Sequence, residues 1–200
     1  MNPFQYSSSI KDFISTDENA IMGVLAQSNS FDSKRTTIHS WKEEIDTLKM
    51  ALKDYLSEDG FVAFEYTIPR VEGRIDCIIG LRGILFVLEF KTGDAQEINA
   101  DKSQLLQYVT DLKNFHFESY DIPIAPMWVV PGAEVPGAEV IPPTSNESIF
   151  GVMTVSDATI SEVMKEVLAT EWSSTCRKVV TRTILARENF IIVPTTISNA

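Results

Sequence analysis

Asp76, Glu89 and Lys91 have the types and spacing to handle a metal ion and a phosphate group. Asp76 lies in the run Arg74-Ile75-Asp76-Cys77-Ile78-Ile79-Gly80, and Glu89 in the run Ile84-Leu85-Phe86-Val87-Leu88-Glu89-Phe90. Both runs are short and apolar, and a turn at 81–83 separates them. A single acid in such a run is expensive to bury, because its charge loses water with nothing to replace it. Two of them on neighbouring strands suggest that a cation compensates. Mg²⁺ (or Mn²⁺) suits the pair, since hard divalent ions take carboxylate oxygens plus waters and need only one or two protein acids. Lys91 follows Glu89 by two residues and so shares its strand face. Its ammonium could polarise a metal-bound water and stabilise charge on a phosphoryl oxygen. Metal plus lysine is a sound arrangement for phosphodiester hydrolysis.

The turn decides whether the acids meet. A two-residue Arg82-Gly83 loop pairs Leu81 with Ile84 and sets Asp76 opposite Glu89, with Cβ atoms about 4.5–5.5 Å apart. A three-residue loop slips the register by one and sends the acids to opposite faces, unless a bulge restores it. Glu65, on the preceding strand, could add a third carboxylate, though its register to Asp76 is open. Gln104 and Tyr108 are four apart on a helix, hence on one face, and could orient a phosphate or the attacking water. Simpler readings compete. The acids could be strand-end residues paired with Arg74 and Lys91, an arrangement nearly neutral in energy. Gln104 and Tyr108 could be a packing pair of equal weight. Acid-any-lysine also occurs at Asp32-Ser33-Lys34 and Asp111-Leu112-Lys113, to which no role is assigned.

The surrounding elements follow from periodicity. Residues 1–34 are rich in Ser, Asn and Asp and read as an irregular arm with a short helix near Ile21–Leu25. Ile38, Trp41, Ile45, Leu48, Leu52 and Tyr55 alternate spacings of three and four, the stripe of a long amphipathic helix stopped by Gly60. Trp41 reads as core, and His39 and His116 as structural or exposed. Strands follow at Phe61–Ile68 and over the two acid-bearing runs, then a helix over Ser103–His116 and a strand over Ile124–Val130. Val-Pro-Gly-Ala-Glu occurs twice in succession from Val130, giving a loop over 131–148. A strand at Ile149–Val155, a helix opened by a Thr159/Glu162 capping box, and a last helix over Thr175–Arg187 complete the pattern. Helix, three strands, helix, strand, strand, helix predicts an α/β fold with a mixed central β-sheet flanked by helices. The domain limits expected are 1–34 for the arm, 35–170 for the main domain and 171–200 for a C-terminal helix and tail.

With 200 residues, 44% of them hydrophobic, there is material for one core. The start lacks a basic segment followed by an apolar one, and no apolar run approaches the ~20 residues of a membrane span, so no secretion and no membrane are expected. Cys77 and Cys176 are too few for a disulfide framework or a zinc site, and Cys77 reads as an apolar strand residue; a reduced, cytoplasmic setting is expected. Seventeen basic against 28 acidic residues give a net charge of −11. Nucleic acid must then be held by a local patch, a metal or a partner, because phosphate binding is driven by Lys and Arg displacing counterions.

Asp76, then Glu89-Phe90-Lys91, then Gln104-Leu-Leu-Gln-Tyr108, resembles the PD-(D/E)XK nuclease superfamily, whose core is restriction-endonuclease-like. Within it the chain is similar to the nuclease-like N-terminal region of a group of prokaryotic DNA/RNA helicases. Ser40-Trp41, Phe64-Glu65-Tyr66, Arg74-Ile75-Asp76, the Gln-to-Tyr helix and Trp128 follow the order seen there, over about half the chain. Glu188-Asn189-Phe190 through Val193-Pro194-Thr195 resembles the connector before the helicase. The resemblance implies that Asp76 and Glu89 bind metal with the Phe90 carbonyl, that Lys91 assists catalysis, and that Gln104 and Tyr108 support the site. The proline before Asp76 is absent. Members often carry an acid on the first helix; Glu43 and Glu44 stand there, and the sequence does not choose between them. No Gly-rich phosphate loop with Lys-Ser/Thr is present, so the chain is not expected to be a motor by itself.

The resulting expectation is a Mg²⁺-dependent nuclease acting on DNA before RNA, working with a partner or fused helicase or within a defence or repair complex. The alternative is the same fold, weak or inactive in catalysis, that binds nucleic acid or protein.

Overall fold

The computed structural model describes residues 3–28, 35–68, 73–91, 98–115, 121–135, 139–143 and 148–172, with backbone alone for 28, 35–39, 98–101 and 115. The elements in order are β1 (Tyr6–Ser9), α1 (Ile10–Ser15), α2 (Glu18–Ser28), α3 (Arg35–Leu52), β2 (Gly60–Thr67), β3 (Arg74–Leu81), β4 (Ile84–Phe90), α4 (Ile98–Phe115), β5 (Ile124–Val129), β6 (Met153–Val155) and α5 (Ile160–Leu168). A short 3₁₀ turn, Lys53–Tyr55, follows α3. The strands form a six-stranded sheet in the order β1-β2-β3-β4-β5-β6. The pairs from β1 to β4 are antiparallel; β4–β5 and β5–β6 are parallel. The expected α/β class with a mixed central sheet and flanking helices is what the chain forms.

Two cores lie on the two faces of the sheet. One takes Ile10 and Phe13 of α1, Ile21 and Leu25 of α2, the α3 stripe and the apolar face of α5. The other takes Leu105, Tyr108, Val109 and Leu112 of α4. The α3 stripe is buried as its spacing predicts: Trp41, Ile45, Leu48, Leu52 and Tyr55 are in the core. No helix among the described residues is long and apolar enough to cross a membrane.

Several local expectations change. Where an irregular arm was expected, residues 6–28 form an edge strand and two helices. Ser9 caps α1 by accepting the Asp12 N–H at 3.0 Å. Gly60 does not stop a helix; it opens β2, where an added Cβ would lie 2.6 Å from Ile10 Cδ1 and 2.8 Å from the Gly80 carbonyl oxygen. The capping box does not form: Thr159 Oγ1 accepts the Ser156 N–H at 2.9 Å and does not cap α5. The strand expected at 149–155 shrinks to β6 plus one bridge between Ile149 and Ile124. The expected helix at 175–187, His116 and the His39 side chain fall outside what is described.

Candidate metal site

The β3–β4 hairpin adopts the two-residue loop. Arg82 and Gly83 both have positive φ, 48° and 79°. That is the backbone of a type I′ turn, whose twist matches that of paired strands. Leu81 pairs with Ile84, and the ladder continues to Cys77 opposite Leu88. The next position sets Asp76 across from Glu89. Here the strands exchange side-chain for backbone bonds: the Phe90 N–H donates to Asp76 Oδ2 at 2.9 Å, and the Asp76 N–H makes a longer contact of 3.4 Å with Glu89 Oε1.

On the other side of Asp76 stands Glu65. The β2–β3 rungs Phe64–Cys77 and Tyr66–Ile75 flank the position where Glu65 faces Asp76, and the ladder omits that rung. Glu65 has φ of 55°, a left-handed conformation that non-glycine residues seldom adopt. Both strands change face there. Phe64 and Cys77 belong to the α3-side core, while Tyr66 and Ile75, two residues along each strand, belong to the α4-side core. A regular strand would keep residues two apart on one face. By register, Glu65, Asp76 and Glu89 form one lateral row across β2, β3 and β4.

Helix α3 supplies the row's partners. Trp41 Nε1 donates to Glu65 Oε1 at 2.7 Å. Trp41 is thus core, as expected, and also the donor that holds a buried carboxylate. Arg74 Nε lies 2.5 Å from Glu65 Oε2, a charge contact rather than an aligned hydrogen bond. Arg74 therefore pairs with Glu65, not with Asp76 or Glu89. Glu44 is buried, accepts the Ser40 hydroxyl at Oε1 across 3.0 Å, and its buried Oε2 has no hydrogen-bond partner among the described residues. The helix acid left unassigned between Glu43 and Glu44 is the one turned inward. Helical spacing carries the signal that separates them: Glu44 stands three residues after Trp41 and four before Leu48, whereas Glu43 falls on the opposite, exposed face.

Burial is the main cause that holds these acids toward their neutral forms. It pushes Glu44 well above the usual carboxylate range, with the charges of Asp76 and Glu65 adding to it. Asp76 is pushed up to about 6 by burial and by Glu65, against the Phe90 N–H and the Arg74 charge. Glu89 is pushed up to about 9 by burial and by the Asp76 charge. Each of the two facing carboxyls, when charged, thus disfavours the charge of the other. Burial likewise pushes up the Cys77 thiol, an inert core residue as expected.

Lys91 continues β4 by one residue, its N–H donating to the Val129 carbonyl at 2.8 Å, and its side chain is half-buried. Gln104 Nε2 donates to the Tyr108 hydroxyl, so the two share a face. Tyr108 is buried in the α4-side core, and its ring occupies the space beside Gly73: an added Cβ there would lie 2.7 Å from Tyr108 Cε1. The pair buttresses the start of β3, close in sequence to Asp76. Trp128 of β5 pairs with Glu89 in the parallel register and is buried, with no partner for its indole N–H among the described residues.

Among the described residues no three Asp, Glu, His or Cys side chains stand close enough together to enclose a metal ion. A cation here would be held by two carboxylates and water, the mode Mg²⁺ adopts when it keeps part of its hydration shell. The donors present are hard oxygens, and the unpartnered Glu44 Oε2 can accept from a bound water. They fit the ion. Comparison with protein-family models, with curated proteins and with solved structures finds no match to this chain.

Proposed function

We propose that the chain is a Mg²⁺- or Mn²⁺-dependent nuclease that hydrolyses phosphodiester bonds in DNA, or in RNA. The observation that carries this reading is the Asp76–Glu89 position, where two half-buried acids face each other across β3 and β4, with Glu65 opposite Asp76 on β2. Shifted acids gathered in this way are characteristic of functional sites. Asp76 and Glu89 hold the ion, the Phe90 carbonyl adds a ligand, and Lys91 orients the attacking water and stabilises charge on the phosphoryl oxygens. Glu65 supports the row from β2, and the Gln104–Tyr108 pair braces the strand that carries Asp76. The ion, when bound, would lower the pKa of a bound water and offset the negative charge on the phosphoryl oxygens.

Incubation of labelled single- and double-stranded oligonucleotides with Mg²⁺ or Mn²⁺ tests this. Cleavage that disappears in EDTA, in Asp76→Ala and in Lys91→Ala is expected. Undiminished cutting by both variants would refute the assignments. The net charge of −11 favours a second reading, a non-catalytic module for nucleic acid or protein. Metal-dependent turnover on any substrate would dispose of it. A helicase or other partner that contributes the basic surface is compatible with either.

A further inference from the structure

A row of carboxylates repels the polyanion it is proposed to cut, so some group must hold the backbone of the nucleic acid against it. Arg74 lies two residues before Asp76 at the start of β3. Its side chain is 46% exposed, whereas Glu65, against which it rests, is 5% exposed. The contact uses the Nε corner of the guanidinium, and the two terminal nitrogens carry four of the five N–H donors. Glu65 is itself fixed by Trp41 and by the left-handed turn of its own backbone. The guanidinium is therefore anchored from inside by a chain of contacts running to α3, with nearly half of its surface toward solvent. A planar guanidinium held in this way matches two phosphate oxygens at once and loses little rotamer freedom on binding. Two residues from Asp76 on the same strand and in contact with Glu65, it stands at the acid row and not at a remote edge.

Resting on the nuclease reading above, we propose that Arg74 is a phosphate-binding residue, clamping the backbone of the nucleic acid beside the scissile bond without reading the bases. The simpler role, a countercharge for buried Glu65 and nothing more, differs in one measurable respect. A phosphate contact releases counterions when it forms, and a buried countercharge does not.

The test is fluorescence anisotropy of labelled single-stranded and duplex oligonucleotides, with Ca²⁺ in place of Mg²⁺ to suppress cleavage, across a series of KCl concentrations. Because Arg74→Gln alone strands the Glu65 carboxylate, the comparison is between Glu65→Gln and the double variant Glu65→Gln/Arg74→Gln, both checked by thermal melting. Loss of Arg74 should make the slope of log K against log[salt] shallower by about 0.7–0.9 and weaken binding evenly across sequences. Arg74→Lys should keep the slope, since the charge remains. Equal slopes and affinities with and without Arg74 would overturn the inference while leaving a cutting enzyme intact. A wild-type protein that neither binds nor cuts any oligonucleotide would instead remove the nuclease reading, and this inference with it.

Discussion

Asp76→Asn separates what the acid costs the fold from what it does for the site. In the folded protein Asp76 is pushed up to about 6, against about 3.9 for an aspartate in an unfolded chain. An acid raised on folding contributes its stability below the unfolded value and loses it as pH rises through the folded one. At pH 4 Asp76 is therefore neutral at little penalty; by about pH 8 it is ionised and the full penalty applies. Each pH unit of difference is worth about 1.4 kcal/mol, which gives ~3 kcal/mol at most and ~1–2 kcal/mol after allowing for partial exposure. Asparagine is neutral and keeps an oxygen to accept the Phe90 N–H. In EDTA at about pH 8 the variant should melt higher by roughly 3–8 °C, a gain that vanishes near pH 4. Mg²⁺ should raise the wild-type midpoint, by ~1.4 kcal/mol at ten times its Kd, and leave the variant unmoved. Circular dichroism melts at the two pH values, with and without Mg²⁺, measure all of this. A variant that melts lower than wild type at pH 8, or gains equally at both pH values, refutes the reasoning.

The two indoles beside the acid row should differ in what they contribute to stability. Trp41→Phe removes the donor to buried Glu65 and should cost about 2–3 kcal/mol in urea unfolding, because a buried carboxylate is left short of a partner. Trp128→Phe removes an N–H with no partner among the described residues, so its change should stay within ~1 kcal/mol, lost packing being offset by the removed polar group. Gly83→Ala forces a side chain into φ of 79° and should cost about 1–2 kcal/mol; if the strained turn slips register, Mg²⁺-induced stabilisation should fall with it.

The sequence left open a two-residue or a three-residue loop between β3 and β4, and the positive φ of both Arg82 and Gly83 is what selects the former. Once Leu81 faces Ile84, five steps along each strand carry Asp76 to Glu89. The α3 and α4 stripes were legible because their period matches a buried face. The register of Glu65 was not, because nothing in Phe64-Glu65-Tyr66 announces a left-handed residue, and Trp41, which holds its carboxylate, lies 24 residues away. Glu44 can be told from Glu43 by helical spacing, since it stands three residues after Trp41 and four before Leu48 while Glu43 falls on the opposite face. The edge strand β1 was hidden because Tyr6-Ser7-Ser8-Ser9 is nearly all polar, and its pairing with β2 runs through backbone atoms. The capping box failed because the Thr159 hydroxyl serves the Ser156 N–H instead.

Diffraction from Mn²⁺-soaked crystals, recorded near the manganese absorption edge, addresses the acid row most directly. An anomalous peak about 2.0–2.3 Å from carboxylate oxygens of both Asp76 and Glu89, absent in crystals of Asp76→Asn, is the result predicted. A well-ordered map with no peak there, with the two carboxyl groups still bonded to the backbone of the opposite strand, would contradict the account.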